Sequence, residues 1–284
     1  MRGTWIVFAL AVVLLGGIAA GQGPQRTNVD PSVMYCSGIA TSEPLHGGGN
    51  IISGEDSNAL VGFALNDLVY INRSAARVGD EYLVVRPVSD LLEEPWFQSQ
   101  PQLMRAMGQV WADLGRIRVV HSDAKVSTAR VVSSCSFMQR GDILLPFVER
   151  PGPPLKLDGL QVDPFAPVSG KTGMIVTTKT FNEAAGVGSV VYVNLGSSQG
   201  VRVGSYLRVF REQGRREELA YNTPGYVDQL YGFGSSPERY TWEGLPREIE
   251  GEGIVVRTSG NAASLLITAV RREIYVGDYV EIER

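Results

Sequence analysis

The sequence predicts an all-β protein: two tandem, duplicated small β-barrel or β-sandwich modules behind an N-terminal signal peptide. Three observations predict it. Short runs rich in Val, Ile, Leu and Tyr alternate with clusters of Gly, Asp, Asn and Ser at the spacing of all-β modules. Two long stretches repeat one another, and helical periodicity is weak, with short candidates only at residues 100–107 and 213–219.

The first element, residues 1–21, reads as a secretory signal. Arg2 gives a positive start, WIVFALAVVLL supplies the apolar run, and GGIAAG offers small residues for cleavage. The run yields to glycines and polar residues short of the ~20 apolar residues a spanning helix needs. A membrane role is expected only if this segment is retained as an anchor.

The second and fourth elements are the copies of the unit, residues 31–148 and 171–284. Residues 67–88, DLVYINRSAARVGDEYLVVRPV, align with 189–212, SVVYVNLGSSQGVRVGSYLRVFRE. Both read aliphatic-Val-Tyr-aliphatic-Asn, a small polar turn, Val-Gly-Asp/Ser, and an alternating strand ending near an Arg. The second halves align as residues 108–147 with 253–283, each opening on Gly (Gly108, Gly253) and closing on Gly-Asp and a strand; upstream, GNII at 49–52 matches GMIV at 173–176. Residues 149–170, dense in Pro and Gly, read as a linker, because proline removes backbone donors and fixes φ.

Several fragments look like active-site motifs, and the repeat absorbs them. HGGG (residues 46–49) and GSSQG (196–200) spell an oxyanion loop and a nucleophile elbow. GSSQG, however, lies between two predicted strands and reads as a hairpin loop, where an elbow needs a strand followed by a helix. Both histidines, His46 and His121, precede Ser198, against the Ser, acid, His order of that fold. SGKT (169–172) lacks the earlier glycine of a phosphate loop. Arg140-Gly141-Asp142 recurs as Val78-Gly79-Asp80, Val203-Gly204-Ser205 and Val276-Gly277-Asp278, which marks a turn: Gly takes positive φ and Asp bonds nearby backbone. No catalytic residue, metal site or cofactor is expected.

A net charge of −4 with no basic face argues against a nucleic-acid partner. The chain has two cysteines, Cys36 and Cys135. Export would allow a bond between them, closing a loop of about 100 residues worth up to roughly 4 to 5 kcal/mol; two separate buried thiols are the alternative. Their spacing from the histidines does not suit a metal.

Each unit carries an insertion between its halves, residues 89–107 and 213–252. The first holds Trp96 and Phe97; the second collects Tyr221, Tyr226, Tyr231, Phe233, Tyr240 and Trp242. Such rings stack on sugars or pack against proteins at low entropic cost, so these eight residues are the candidate partner-binding set. The competing reading is that they cap their own modules.

VVYVNLGSSQGVRVGSYLRVFR followed by GIVVR, SLLITAV and IYVGDYVEIE resembles the C-terminal domain of the flagellar assembly protein T family, and the related β-modules that accompany LysM domains in bacterial envelope proteins. The shared features cover most of both units; Arg73 and Ala76 replace the loop glycines in the first, and the chain has no LysM repeat. The resemblance implies a non-enzymatic, exported scaffold, periplasmic or associated with the outer envelope. Its partner would be an envelope protein or, alternatively, peptidoglycan or another cell-wall polysaccharide.

Overall fold

The computed structural model describes residues 28–45, 47–55, 62–73, 76–89, 95–156, 159–160, 163–167, 170–212 and 246–283. The signal segment and His46 lie outside them. So do the second helix candidate and Tyr221, Tyr226, Tyr231, Phe233, Tyr240 and Trp242.

The first unit runs α1 (Pro31–Cys36), β1 (Ile39–Thr41), β2 (Ile51–Gly54), β3 (Leu68–Ile71), β4 (Glu81–Pro87), α2 (Gln100–Met107), β5 (Gln109–Ser122), β6 (Ser127–Ser134) and β7 (Ile143–Pro146). The second runs β8 (Thr172–Thr178), β9 (Ala184–Ala185), β10 (Val190–Val193), β11 (Tyr206–Arg211), β12 (Glu248–Thr258), β13 (Ala263–Val270), β14 (Ile274–Tyr275) and β15 (Tyr279–Ile282). The second unit is a closed six-stranded barrel, ordered β10-β13-β12-β11-β15-β8. The first is an open curled sheet, ordered β2-β3-β6-β5-β4-β7, with β1 added to the start of β5.

The two orders are the same order. Starting from β2 and from β8, each strand of the first unit has its counterpart in the second, and an isolated Asn50–Ile143 bridge stands where the barrel closes by pairing β15 with β8. Backbone bonds fix the correspondence residue by residue. Ile51 N–H donates to Asp142 O as Ile175 N–H does to Asp278 O, which places GNII on GMIV. The motif asparagines do one job twice: Asn72 Oδ1 accepts from Asn50 N–H and Asn194 Oδ1 from Met174 N–H, both at 2.6 Å.

The Gly-Asp device recurs four times. Gly79, Gly141, Gly204 and Gly277 sit at φ 96°, 92°, 87° and 101°. In each turn the following side chain accepts the N–H three residues back: Asp80 from Arg77, Asp142 from Gln139, Ser205 from Arg202 and Asp278 from Tyr275. Arg86 then grips Asp142 through Nε and Nη2 at 2.7 and 2.9 Å, and Arg211 grips Asp278 the same way at 2.8 Å each. The bidentate geometry makes these the stronger class of ion pair.

Two sequence expectations change. The second halves align on Gly115 and Gly251, which pair with Val84 and Val209 beside matching bulges, and not on Gly108 and Gly253. At either glycine a Cβ would press on the adjacent strand, 2.1 Å from Ser133 O or 2.5 Å from Ala269 O. Gly115→Ala, at φ 142°, is therefore expected to lose about 3 kcal/mol in urea unfolding. Gly79→Ala, with open space around it, should lose only about 1 kcal/mol for its left-handed backbone.

The second change concerns GSSQG. It is not a hairpin loop, because β10 and β11 do not pair; β13 and β12 stand between them. The loop crosses the barrel end as a 3-10 turn (Ser197–Gln199), held by Ser197 and Ser198 N–H donating to Ser259 and Gly260 O. His121 lies on an exposed end of β5 beside Asp123.

Candidate functional site

The helix expected at residues 100–107 is α2, opened by Pro101 in its first turn and closed by Gly108 at φ 88°. Through it the first insertion is spent inside the molecule. Phe97 is 3% exposed and joins the core of the second barrel, with Trp96 and Leu103 packed alongside. Gln100, fully buried, accepts from Trp96 N–H and donates to Val176 O at 2.8 Å. The described residues of the insertion dock on the other unit.

A seam of mixed chemistry runs beside it. Ala40, Met107 and Val110 of the first unit pack against Val176, Tyr192 and Ala262 of the second. Around that apolar patch, Tyr192 OH, Ser264 Oγ and Ser259 Oγ donate to the carbonyls of Ser37, Gly38 and Ala40 at 3.0, 2.9 and 2.7 Å. Asp113, 3% exposed, accepts Gly38 N–H and both its oxygens lie 2.9 Å from Arg257 Nη1. Burial and the nearby Asp113 charge push the Tyr192 hydroxyl up, so it stays a donor.

Helix α1 was missed from the sequence, although Asp30 capping Ser32 N–H ahead of Pro31 is a readable helix start. Met34 and Val29 sit on the outer face of the second barrel against Val190, Ile254, Val256 and Leu266. The helix ends on Cys36, bonded to Cys135 at a Cα separation of 5.5 Å, so a covalent link ties this arm to the first unit. The linker bonds to the arm, with Pro153 O accepting from Val29, and to the second barrel, with Pro164 O accepting from Ile249 and Ala166 O from Arg247 Nε.

The second insertion leaves the barrel between β11 and β12, the strands that correspond to β4 and β5. Its base is a charged and aromatic platform. Phe210 stacks on Tyr279 at 5.5 Å, Arg247 lies over Phe210 at 4.5 Å and Arg211 over Tyr275 at 5.1 Å. A cavity of about 120 Å³ opens beside it, lined by Pro164, Phe165, Glu248, Ile249, Glu250, Arg271 and Arg272. A larger groove of about 550 Å³ runs between α1 and the barrel past Lys179 and Val187. Among the described residues no three His, Cys, Asp or Glu side chains cluster for a metal, and no helix is long and apolar enough to cross a membrane.

Burial raises the carboxyls of Glu250 and Glu252, with Arg211 and Lys156 pulling each partly back. A folded-state value above the unfolded one means stability present below the ordinary glutamate range and lost as pH rises through the raised value. Acidifying from neutral toward the ordinary range should therefore raise the melting temperature. Glu250→Gln and Glu252→Gln should each melt a few degrees higher than wild type at neutral pH, with the pH dependence flattened. Scanning calorimetry across that range checks both. No protein-family model matches the chain, and no curated protein matches it.

Proposed function

We propose that this protein is an exported, non-enzymatic cell-envelope scaffold that holds an envelope protein through its second insertion. The observation that carries the reading is the fate of the first insertion. It occupies the same place between the same two strands, and it docks by an aromatic ring, Phe97, onto a neighbouring β-barrel. The second unit has an insertion richer in rings, and its aromatic, Arg-framed base resembles the residue types that dominate protein contacts. The Cys36–Cys135 bond is consistent with an oxidising compartment, which supports export.

Photo-crosslinking from position 240 or 242 in the native host is expected to trap one envelope protein, with the yield falling several-fold for Tyr240→Ala and Trp242→Ala. Failure to trap any specific protein, or trapping indifferent to both substitutions, would sink the reading. Rings on a polar, Gly-rich segment also suit sugar stacking. Strong co-sedimentation with purified peptidoglycan, lost in Trp242→Ala, would shift the assignment to polysaccharide binding.

A further inference from the structure

The duplication makes the face of the second barrel that receives the first unit comparable, residue by residue, with the same face of the first. On the second barrel the contact is made by Val176 and Val256, bulged residues of β8 and β12, together with Tyr192 and Val190 of β10, and all four are buried by α1, α2 and β1. The corresponding residues of the first sheet lie at matching bulges and pairings: Ile52 for Val176, Val120 for Val256, Tyr70 for Tyr192 and Leu68 for Val190. Ile52 and Val120 are each 40% exposed, and Tyr70 and Leu68 are half-buried. An apolar patch of the same make-up therefore stands on the first unit.

The other half of the contact has a partial counterpart on the second unit. In the first unit β1 runs beside the start of β5 and delivers Ala40 into the seam. In the second, residues 163–166 form a turn beside the start of β12, closed by Ala166 N–H donating to Asp163 O, with Pro164 O accepting from Ile249 N–H and Ala166 O from Arg247 Nε. Counted from the equivalence of Ile249 with Asp113, Phe165 stands in the place of Gly38, two residues before that of Ala40, and is 58% exposed. Arg118, itself paired with Glu81, and Arg130 flank the apolar patch on the first unit, and Asp163 lies two residues from Phe165.

We infer that the protein self-associates head to tail, the Phe165 end of one copy's second unit docking on the Ile52–Val120 face of the next copy's first unit. The internal seam is the template, since it joins two different surfaces of one repeated unit. A contact of that kind is heterologous: each molecule keeps one free end and one free face, so chains or rings grow rather than closed pairs. This inference goes beyond the envelope partner proposed above and does not depend on the residues that would bind it.

Sedimentation velocity of the full chain over a concentration series tests it. Wild type should shift from monomer to dimer and larger species, while Ile52→Glu and Phe165→Glu should each weaken association by roughly tenfold or more. Both positions are exposed, so melting temperatures should match wild type and separate lost docking from lost folding. The decisive mixture is the two variants at equal concentration. Each retains the surface the other lacks, so a heterodimer that stops at two copies is expected. A wild-type chain that remains monomeric throughout overturns the inference and leaves the Ile52 face to a foreign protein, as does a mixture that gives no heterodimer.

Discussion

Replacing Cys36 or Cys135 with serine is expected to cost about 4 kcal/mol, the largest effect of any single substitution outside the seam. The bond spans 99 residues of sequence, and a loop of that size carries a chain-entropy term of roughly 4 to 5 kcal/mol. Its position adds a second consequence. Met34 packs on the second barrel independently of the sulfurs' own bond, and breaking that bond removes the covalent link between α1 and the residue that follows β6. Urea unfolding should show a lower midpoint in either variant, and reduced wild type should match them. Hydrogen exchange should rise first in the amides of α1. Unchanged midpoints would mean that the unfolded chain is already held compact without the bond.

Asp113→Ala is expected to cost about 3 to 5 kcal/mol, because it strands a buried partner. The carboxylate receives Arg257 from 144 residues away and the Gly38 N–H at 2.9 Å, and its side chain is 1% exposed. Removing it leaves the Arg257 guanidinium inside the seam with its counter-charge gone. Burial first and the Arg257 charge second lower the Arg150 value while Asp113 raises it, so removing Asp113 leaves two facing cations. Asp113→Leu combined with Arg257→Met should be less damaging than Asp113→Ala alone, since an apolar pair leaves no orphan charge. Unfolding curves of wild type, Asp113→Leu, Arg257→Met and the double variant form a double-mutant cycle, and additivity would show that the pair does not couple the units.

Much of the fold was legible in particular residues. The Val-Gly-Asp turns declare themselves because the requirement is local: a left-handed glycine and a short side chain that reaches three residues back. The asparagines of the repeated motif were visible as a pattern, but their bond to the strand that closes the barrel was not, since β2 and β8 lie more than fifteen residues upstream. The strands of the second unit, such as GIVVRT and ASLLITAV, run apolar without clean alternation, which is the mark of burial on both faces; RIRVVHS in the first alternates more. That contrast is consistent with a covered second barrel but does not say what covers it.

The sequence by itself determined the all-β class, the duplicated unit, the turns that shape it and the two cysteines available to each other, because each rests on periodicity, on glycine conformation or on counting. Only the tertiary structure decided that GSSQG crosses a barrel end, that Phe97 belongs to the other unit's core and that Asp113 meets Arg257. Strand order and docking depend on which surfaces fit once both sheets exist. An alternating pattern tells inside from outside, but which outer face becomes an interface is set by shape and charge contributed from more than a hundred residues away.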